Sequence, residues 1–283
     1  MTVELYNRPM IYRPVPDYHM HTPRCNHATG DVADYAHAAI AAGLREIGMS
    51  DHSPMPVSYD KPWRMDRSEL SNYLQEVEQV RDAVVEQLSL RVGLEADFHP
   101  GTEPYVAEMI TSYAWDYVIG SVHYIGDWGF DNPDTIQIWD TWKIEDAYCA
   151  YFKLVEQSAL SGMFDIIGHP DLIKKFGHRP PVGSQRVNDA IEAMLQAVKL
   201  ADVVLEISSA GLRKPVGEIY PHASIVRRAA ELCIPFSYGS DAHSPNEVGH
   251  GMDECLVMLE SFGIHEVASF KQRKRTMVAI QHA

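Results

Sequence analysis

Cysteine is scarce in this chain: Cys25, Cys149, Cys233 and Cys255 are the only four in 283 residues. No two form a Cys-x-x-Cys pair, and their scatter suits free thiols in a reducing compartment. Basic residues are also in short supply. Against 39 Asp and Glu there are 24 Lys and Arg, a net charge of −15 with neutral histidines. That balance argues against binding long nucleic acid by bulk electrostatics, while leaving room for a local basic pocket for a phosphate. Long apolar runs are missing: no window holds 18 consecutive apolar residues, so no membrane span is expected. The N-terminal Met-Thr-Val-Glu-Leu-Tyr-Asn-Arg-Pro contains no apolar leader core. A soluble, cytoplasmic protein is the expectation. No Gly/Pro/Ser-rich linker interrupts the chain either, so residues 1–283 are expected to form one domain. Its core would span about 15–262, with 263–283 as a C-terminal extension.

Histidine, by contrast, is plentiful, with 14 residues, many beside acids or glycines. Short apolar runs alternate with longer helical patterns. Helices are predicted over 31–43, 66–88, 102–113, 143–160, 184–200, 217–232 and 246–262. The clearest is 66–88, where Leu70, Leu74, Val77, Val80, Val84, Val85 and Leu88 recur near a 3.6 period. Strands are predicted at 17–21, 45–50, 90–96, 115–121, 164–168, 202–207 and 234–238. Repeated strand–loop–helix units imply parallel strands with right-handed crossovers. At this length a closed α/β barrel of seven strands is favoured over an open sheet. The irregular stretches 53–66 and 124–142 are long enough to be lids or binding loops, and for 124–142 a plain surface loop is equally open. The basic run 271–275 reads as a solvated tail segment.

In such barrels chemistry sits at the C-terminal strand ends. Here those ends read Asp17-Tyr18-His19-Met20-His21, Ser50-Asp51-His52, Glu95-Ala96-Asp97, Ser121-Val122-His123, Gly168-His169-Pro170-Asp171, Glu206-Ile207-Ser208 and Ser240-Asp241-Ala242-His243. One such histidine means little. His19 and His21, two apart on a strand, share a face and suit chelation. Six of the seven ends carry a His or Glu facing the mouth, and the other offers Glu206. So many imidazoles and carboxylates in one place are costly unless they share something positive. Divalent metal ions fill that role.

These pieces, in this order, resemble the polymerase-and-histidinol-phosphatase (PHP) superfamily of metal-dependent phosphoesterases. Ser-Val-His-Tyr-Ile (121–125), His-Pro-Asp-Leu (169–172) and Ser-Ala-Gly-Leu-Arg-Lys-Pro (209–215) look like its histidinol-phosphatase branch. The resemblance runs from about residue 17 to 245. It implies a distorted seven-stranded (β/α)7 TIM-like barrel with up to three divalent metal ions. It also implies nine ligands. His19 and His21 would hold one metal with Asp241 and a bridging Glu95. His27, His52 and His243 would hold a second, and Glu95, His123 and His169 the third. Zinc, iron or manganese suits imidazole-rich sites better than magnesium alone.

Clustered metals activate a water as hydroxide and neutralise phosphoryl charge, so no protein nucleophile is needed. Asp241 or a neighbouring histidine would protonate the leaving alcohol. Arg213 and Lys214, and the pair Lys174 and Lys175, are candidates to hold the remaining phosphate charge. For Arg213 a capping role, and for the lysines a solvated helix start, are the plainer alternatives. Glu206, Asp51, Trp63 and Tyr124 are available to recognise an amine and an imidazole. Glu206 could equally make an inner-barrel hydrogen bond, Asp51 could orient His52, and the two aromatics could simply pack. The expected function is hydrolysis of L-histidinol phosphate, a small-molecule phosphate ester, in histidine biosynthesis. Alternatives are a PHP phosphoesterase acting on a nucleotide or sugar phosphate, and a non-catalytic metal-binding module.

Overall fold

The computed structural model describes residues 12–56, 59 and 61–283. In chain order its elements are α1 (Val32–Ala41), β1 (Glu46–Met49), α2 (Leu70–Val84), β2 (Ser89–Asp97), α3 (Glu103–Thr111), β3 (Tyr117–Ser121), β4 (Tyr124–Ile125), β5 (Trp128–Gly129), α4 (Ile144–Leu160), β6 (Ile166–Ile167), α5 (Gln185–Ala201), β7 (Val204–Ser208), α6 (Ala223–Glu231), β8 (Phe236–Gly239), α7 (Met252–Ser261), β9 (Glu266–Lys271) and β10 (Lys274–Ala279). Among the described residues no helix is long and apolar enough to cross a membrane.

Six strands form one parallel sheet in the order β1-β2-β3-β6-β7-β8, curled into a half-barrel. The expected strand at 17–21 is not a ladder strand. Asp17 instead makes isolated parallel bridges to Ile47 of β1 and Tyr238 of β8, and Met20 bridges Ala242. Pro14 and Pro16 just before it lack the N–H groups that an extended ladder would need. The last two helices start later than expected. α6 begins after Pro221, with His222 as its N-cap. Gly249 and Gly251, with φ of 67° and 70°, hold the chain out of helix until Met252. Val85 lies beyond the end of α2 and is exposed, while Leu88 is buried in the following turn.

Strand pleating separates two kinds of surface. Outward residues such as Leu94, Ala96, Val118, Ile167, Leu205 and Ile207 pack beneath the helices in the main core. On the concave side, toward the strands' N-terminal ends, Tyr18, Tyr117, Ile119, Ile166, Val204, Ala268 and Phe270 form a separate apolar floor. Further along the same faces come Ser121, Glu206, Ser208, Glu95 and Asp97, all buried. The half-barrel is therefore apolar at its base and polar at its mouth.

Two of the floor residues belong to the antiparallel hairpin β9–β10. The basic run 271–275 forms its turn and is mostly exposed, yet it is tied to the sheet. Arg273 pairs with Asp165 at 2.8 Å, Arg275 pairs with Asp202 at 2.9 Å, and the Gln272 N–H donates to Asp116 at 3.0 Å. These acids precede β6, β7 and β3, so the hairpin is pinned across the base of the sheet. Phe270→Ala should lower unfolding free energy by about 3 kcal/mol or more, the usual cost of emptying a buried Phe site. Urea unfolding would measure it, with metal stoichiometry of the folded protein unchanged because the floor and the mouth lie at opposite strand ends.

Candidate metal centre

The C-terminal strand ends bring the sequence-predicted ligands together. Glu95 of β2 lies at the centre and is fully buried. Its Oε1 is 3.1 Å from His169 Nε2, 3.3 Å from His19 Nε2 and 3.7 Å from His123 Nε2. Its Oε2 is 2.7 Å from His52 Nδ1 and 3.7 Å from His21 Nε2. Asp241 Oδ1 lies 3.0 Å from His21 Nε2 and 3.7 Å from His19 Nε2. His27 and His243 meet through their Nε2 atoms at 2.9 Å.

Three groups in this cluster have ligand atoms close enough to share an ion: His19, His21 and Glu95; Glu95, His123 and His169; and His27, His52 and His243. A fourth, His21, Cys25 and His243, includes a cysteine that sequence reasoning passed over. Fit is tested by the orphaned polar atoms. His19 Nε2, His52 Nδ1 and Glu95 Oε2 are buried without a hydrogen-bond partner. His52 Nδ1 and Glu95 Oε2 thus approach to 2.7 Å with the wrong angles for a hydrogen bond. A buried unsatisfied polar group costs about 1–3 kcal/mol, and here the unsatisfied atoms are imidazole nitrogens and a carboxylate oxygen converging on one another. That donor set suits divalent transition metals, and the clusters can hold several ions.

The opposite nitrogen of several rings is fixed by the protein. His19 Nδ1 bonds Glu206 at 2.7 Å, His123 Nδ1 bonds Asp97 at 2.7 Å, His27 Nδ1 donates to the Cys25 carbonyl at 2.8 Å, and His243 Nδ1 donates to the Asp241 carbonyl at 3.1 Å. Such contacts set the ring tautomer and leave Nε2 as the ligand. Asp51, anchored by the Thr22 hydroxyl, lies 3.6 Å from His21 Nδ1 and accepts the His52 N–H. Two candidate ligands also sit in left-handed backbone geometry, His169 at φ 25° and Asp241 at φ 51°. Non-glycine residues adopt this only when the surroundings over-determine it. Arg213 donates to the carbonyls of Ser240 and Asp241, while Glu206 accepts the His169 N–H and Tyr151 donates to the His169 carbonyl.

The charges separate the groups. Burial pushes down His52, to about 3, and also His27 and His243, with the neighbouring His21 adding to the effect, so this trio favours the neutral, ligating form. Burial also disfavours charge on His123, but Asp97 outweighs it and raises the imidazole to about 9. Burial likewise opposes ionisation of Glu95 and Asp241, yet the surrounding histidines hold both carboxyls well below the usual range.

Three of the expected substrate contacts have partners within the fold. Glu206 is 1% exposed and spent on His19 and His169; β8 makes room for it with Gly239, where a Cβ would stand 2.0 Å from Glu206 Oε1. Lys174 is 1% exposed, paired with Asp171 at 2.8 Å and donating to the Ile219 carbonyl. Arg213 is held by Glu247 at 3.2 Å and by the two backbone carbonyls. The cleft over the cluster is lined by residues that include Lys175, Lys214, Trp63, Tyr124, Asp131 and Tyr220. Trp63 and Tyr124 therefore face it, and the 124–142 segment forms part of its wall. Sequence reasoning missed Asp131 and the anchoring role of Asp97. Asp97 was legible, since it shares the β2 face of Glu95 two residues away. Asp131 had no periodic signal.

Two outcomes follow for the metal-free protein. Glu206→Gln should weaken metal binding about 10- to 100-fold, the usual cost of losing the partner behind a ligating imidazole; competition with a chromophoric chelator would measure this. His123, raised to about 9, carries a proton at neutral pH that must leave for its nitrogen to ligate. Zinc binding near pH 7 should therefore release protons and tighten as pH rises toward 9, by calorimetry in buffers of different ionisation enthalpy.

The sequence matches the PHP domain family over residues 17–210. A Deinococcus radiodurans protein named "Probable histidinol-phosphatase" is 46% identical over 260 residues, covering 91% of this chain and 97% of that protein. The histidinol-phosphatase of Bacillus subtilis is 28% identical over 264 residues, covering 85% of this chain and 97% of that one. Among solved structures, histidinol phosphate phosphatase from Lactococcus lactis, complexed with zinc, L-histidinol and phosphate, matches with a TM-score of 0.79 over 92% of this chain and 98% of that one. At 22% identity, that likeness is one of fold. The family match takes in well over half the chain and seven of the nine ligand candidates, from His19 to His169: this chain belongs to the PHP domain family.

Proposed function

We propose that this chain is a metal-dependent phosphomonoesterase that hydrolyses L-histidinol phosphate to L-histidinol and phosphate, a step of histidine biosynthesis. The observation that carries the chemistry is the convergence of seven imidazoles and the Asp241 carboxylate, with orphaned donor atoms, around the buried Glu95. The substrate follows from the 46% identity to the Deinococcus protein over nearly its whole length. The bridges from 17–21 to both outer strands support reading that segment as the seventh member of a (β/α)7 barrel with the metals at its mouth. The hairpin on the floor supports reading residues 12–283 as one domain.

Divalent ions, zinc foremost and iron or manganese as alternatives, would polarise a water and neutralise phosphoryl charge when bound. His19, His21, Glu95 and Asp241 would hold one ion; Glu95, His123 and His169 another; His27, His52 and His243 a third. Lys175 and Lys214 line the cleft where phosphoryl oxygens turned away from the ions need cationic partners. Asp241 is held ionised, so it would serve as proton donor only in exchange with His21, 3.0 Å away. We assign protonation of the leaving alcohol to that pair. Trp63 and Tyr124 offer aromatic faces to the imidazole of the substrate.

Phosphate release from L-histidinol phosphate should exceed that from AMP, glucose 6-phosphate and an aryl phosphate at equal concentration. A preference for one of the others would discard the substrate and keep the metal chemistry. His123→Ala should lose one metal equivalent and reduce turnover roughly 1,000-fold or more, since a Lewis acid contributes several kcal/mol. Elemental analysis beside a phosphate assay reads both, and wild-type turnover in the variant would remove His123 from the ligand set.

A further inference from the structure

The cleft over the metal-ligand cluster is rich in cationic character, with Arg64, Lys175 and Lys214 on its walls. Cations and metals alone would accept any small phosphate ester. Discrimination requires something that attracts the rest of the substrate. L-Histidinol phosphate carries an ammonium group beside its dianionic phosphate, and a carboxylate is the natural receptor for it.

Three carboxylates line the cleft: Glu95, Asp131 and Asp241. Glu95 and Asp241 are engaged with the ligand histidines. Asp131 is not. It sits in the β5–α4 connection, and its side chain is 19% exposed, enough to meet a ligand. Its hydrogen-bond partner is Lys175, whose Nζ lies 3.0 Å from Oδ2 and 2.7 Å from the Asp131 carbonyl. Oδ1 makes no hydrogen bond among the described residues. Burial would favour the neutral acid, but Lys175 and His123 outweigh it and hold the carboxyl below its usual range. The carbonyl contact keeps Lys175 anchored if the carboxylate turns toward a second cation.

We propose that Asp131 receives the ammonium group of the substrate and selects an amino-alcohol phosphate over a plain alkyl phosphate. This rests on the functional reading above. The pair then divides its work: Lys175 faces the phosphate side of the cleft and Asp131 the amine side. A carboxylate that merely balanced Lys175 would discriminate nothing.

The test compares L-histidinol phosphate with 3-(imidazol-4-yl)propyl phosphate, the same ester without the amine, in metal-loaded protein. Wild-type protein should prefer the amine-bearing ester in kcat/KM. In Asp131→Asn that preference should collapse about 10- to 100-fold, mainly through KM, the range expected for losing a charge-assisted hydrogen bond. Asp131→Glu, which keeps the charge, should restore part of it and carries the same comparison if the Asn variant is poorly folded by circular dichroism. An unchanged preference ratio, with both esters weakened together, would overturn the proposal and leave Asp131 a partner of Lys175. If wild-type protein releases no phosphate from L-histidinol phosphate, the functional reading falls and takes this inference with it. Turnover with an unchanged ratio sinks the inference alone.

Discussion

Burying the Glu95 carboxylate is the constraint on which the rest of the mouth depends. It is fully removed from water and lies at the C-terminal end of the longest strand. Taking a carboxylate out of water costs several kcal/mol unless positive charge is supplied. Among the described residues no Lys or Arg is ion-paired with it; five histidines from four different chain segments surround it. In the metal-free chain, protons on His19, His21 and His123 do part of the job. Divalent ions would do it better, because each ring could stay neutral while donating its lone pair.

Everything near Glu95 limits how those rings can turn. Glu206, Asp97 and two backbone carbonyls hold the far nitrogen of four imidazoles. The left-handed backbone at His169 and Asp241 is held in place by Glu206, Tyr151 and Arg213. Glu206 and Arg213 thus help fix the angle at which a ligand atom is presented. That precision is what a metal centre needs, since misplacing a ligand forfeits the coordination geometry. The base of the half-barrel supplies the rigidity. Its apolar floor is completed by the C-terminal hairpin, whose two arginines and Gln272 N–H tie down the acids at the starts of three strands.

Asp131 and Lys175 show how the wall of the cleft is assembled from distant pieces. They stand 44 residues apart, one in the long β5–α4 connection and one just after β6. Trp128, Phe130 and Trp139 bury the inner side of that connection, which gives it a core of its own. A packed loop can present a carboxylate at a defined place, which an unanchored lid could not.

Sequence alone determined the alternation of strands and helices and the parallel order, and with the family resemblance it supplied the ligand candidates. The reasons are local: pleat and helix periods are written in successive residues, and most of the candidate histidines sit at the ends of apolar runs. What only the tertiary structure decided was the direction and partner of each polar side chain. Arg213, Lys174 and Glu206 have the right chemistry for substrate, yet partners from elsewhere in the chain already meet them. Arg213 meets residues 240 and 241, Lys174 meets Ile219, and Glu206 meets His19 from 187 residues away. The anchoring of the exposed basic run at 271–275 was hidden for the same reason, because the partners of Gln272, Arg273 and Arg275 lie 156, 108 and 73 residues distant. Charge, type and spacing are properties of a sequence. Whether a charge is spent inside the fold or left facing a ligand is settled by which segments meet.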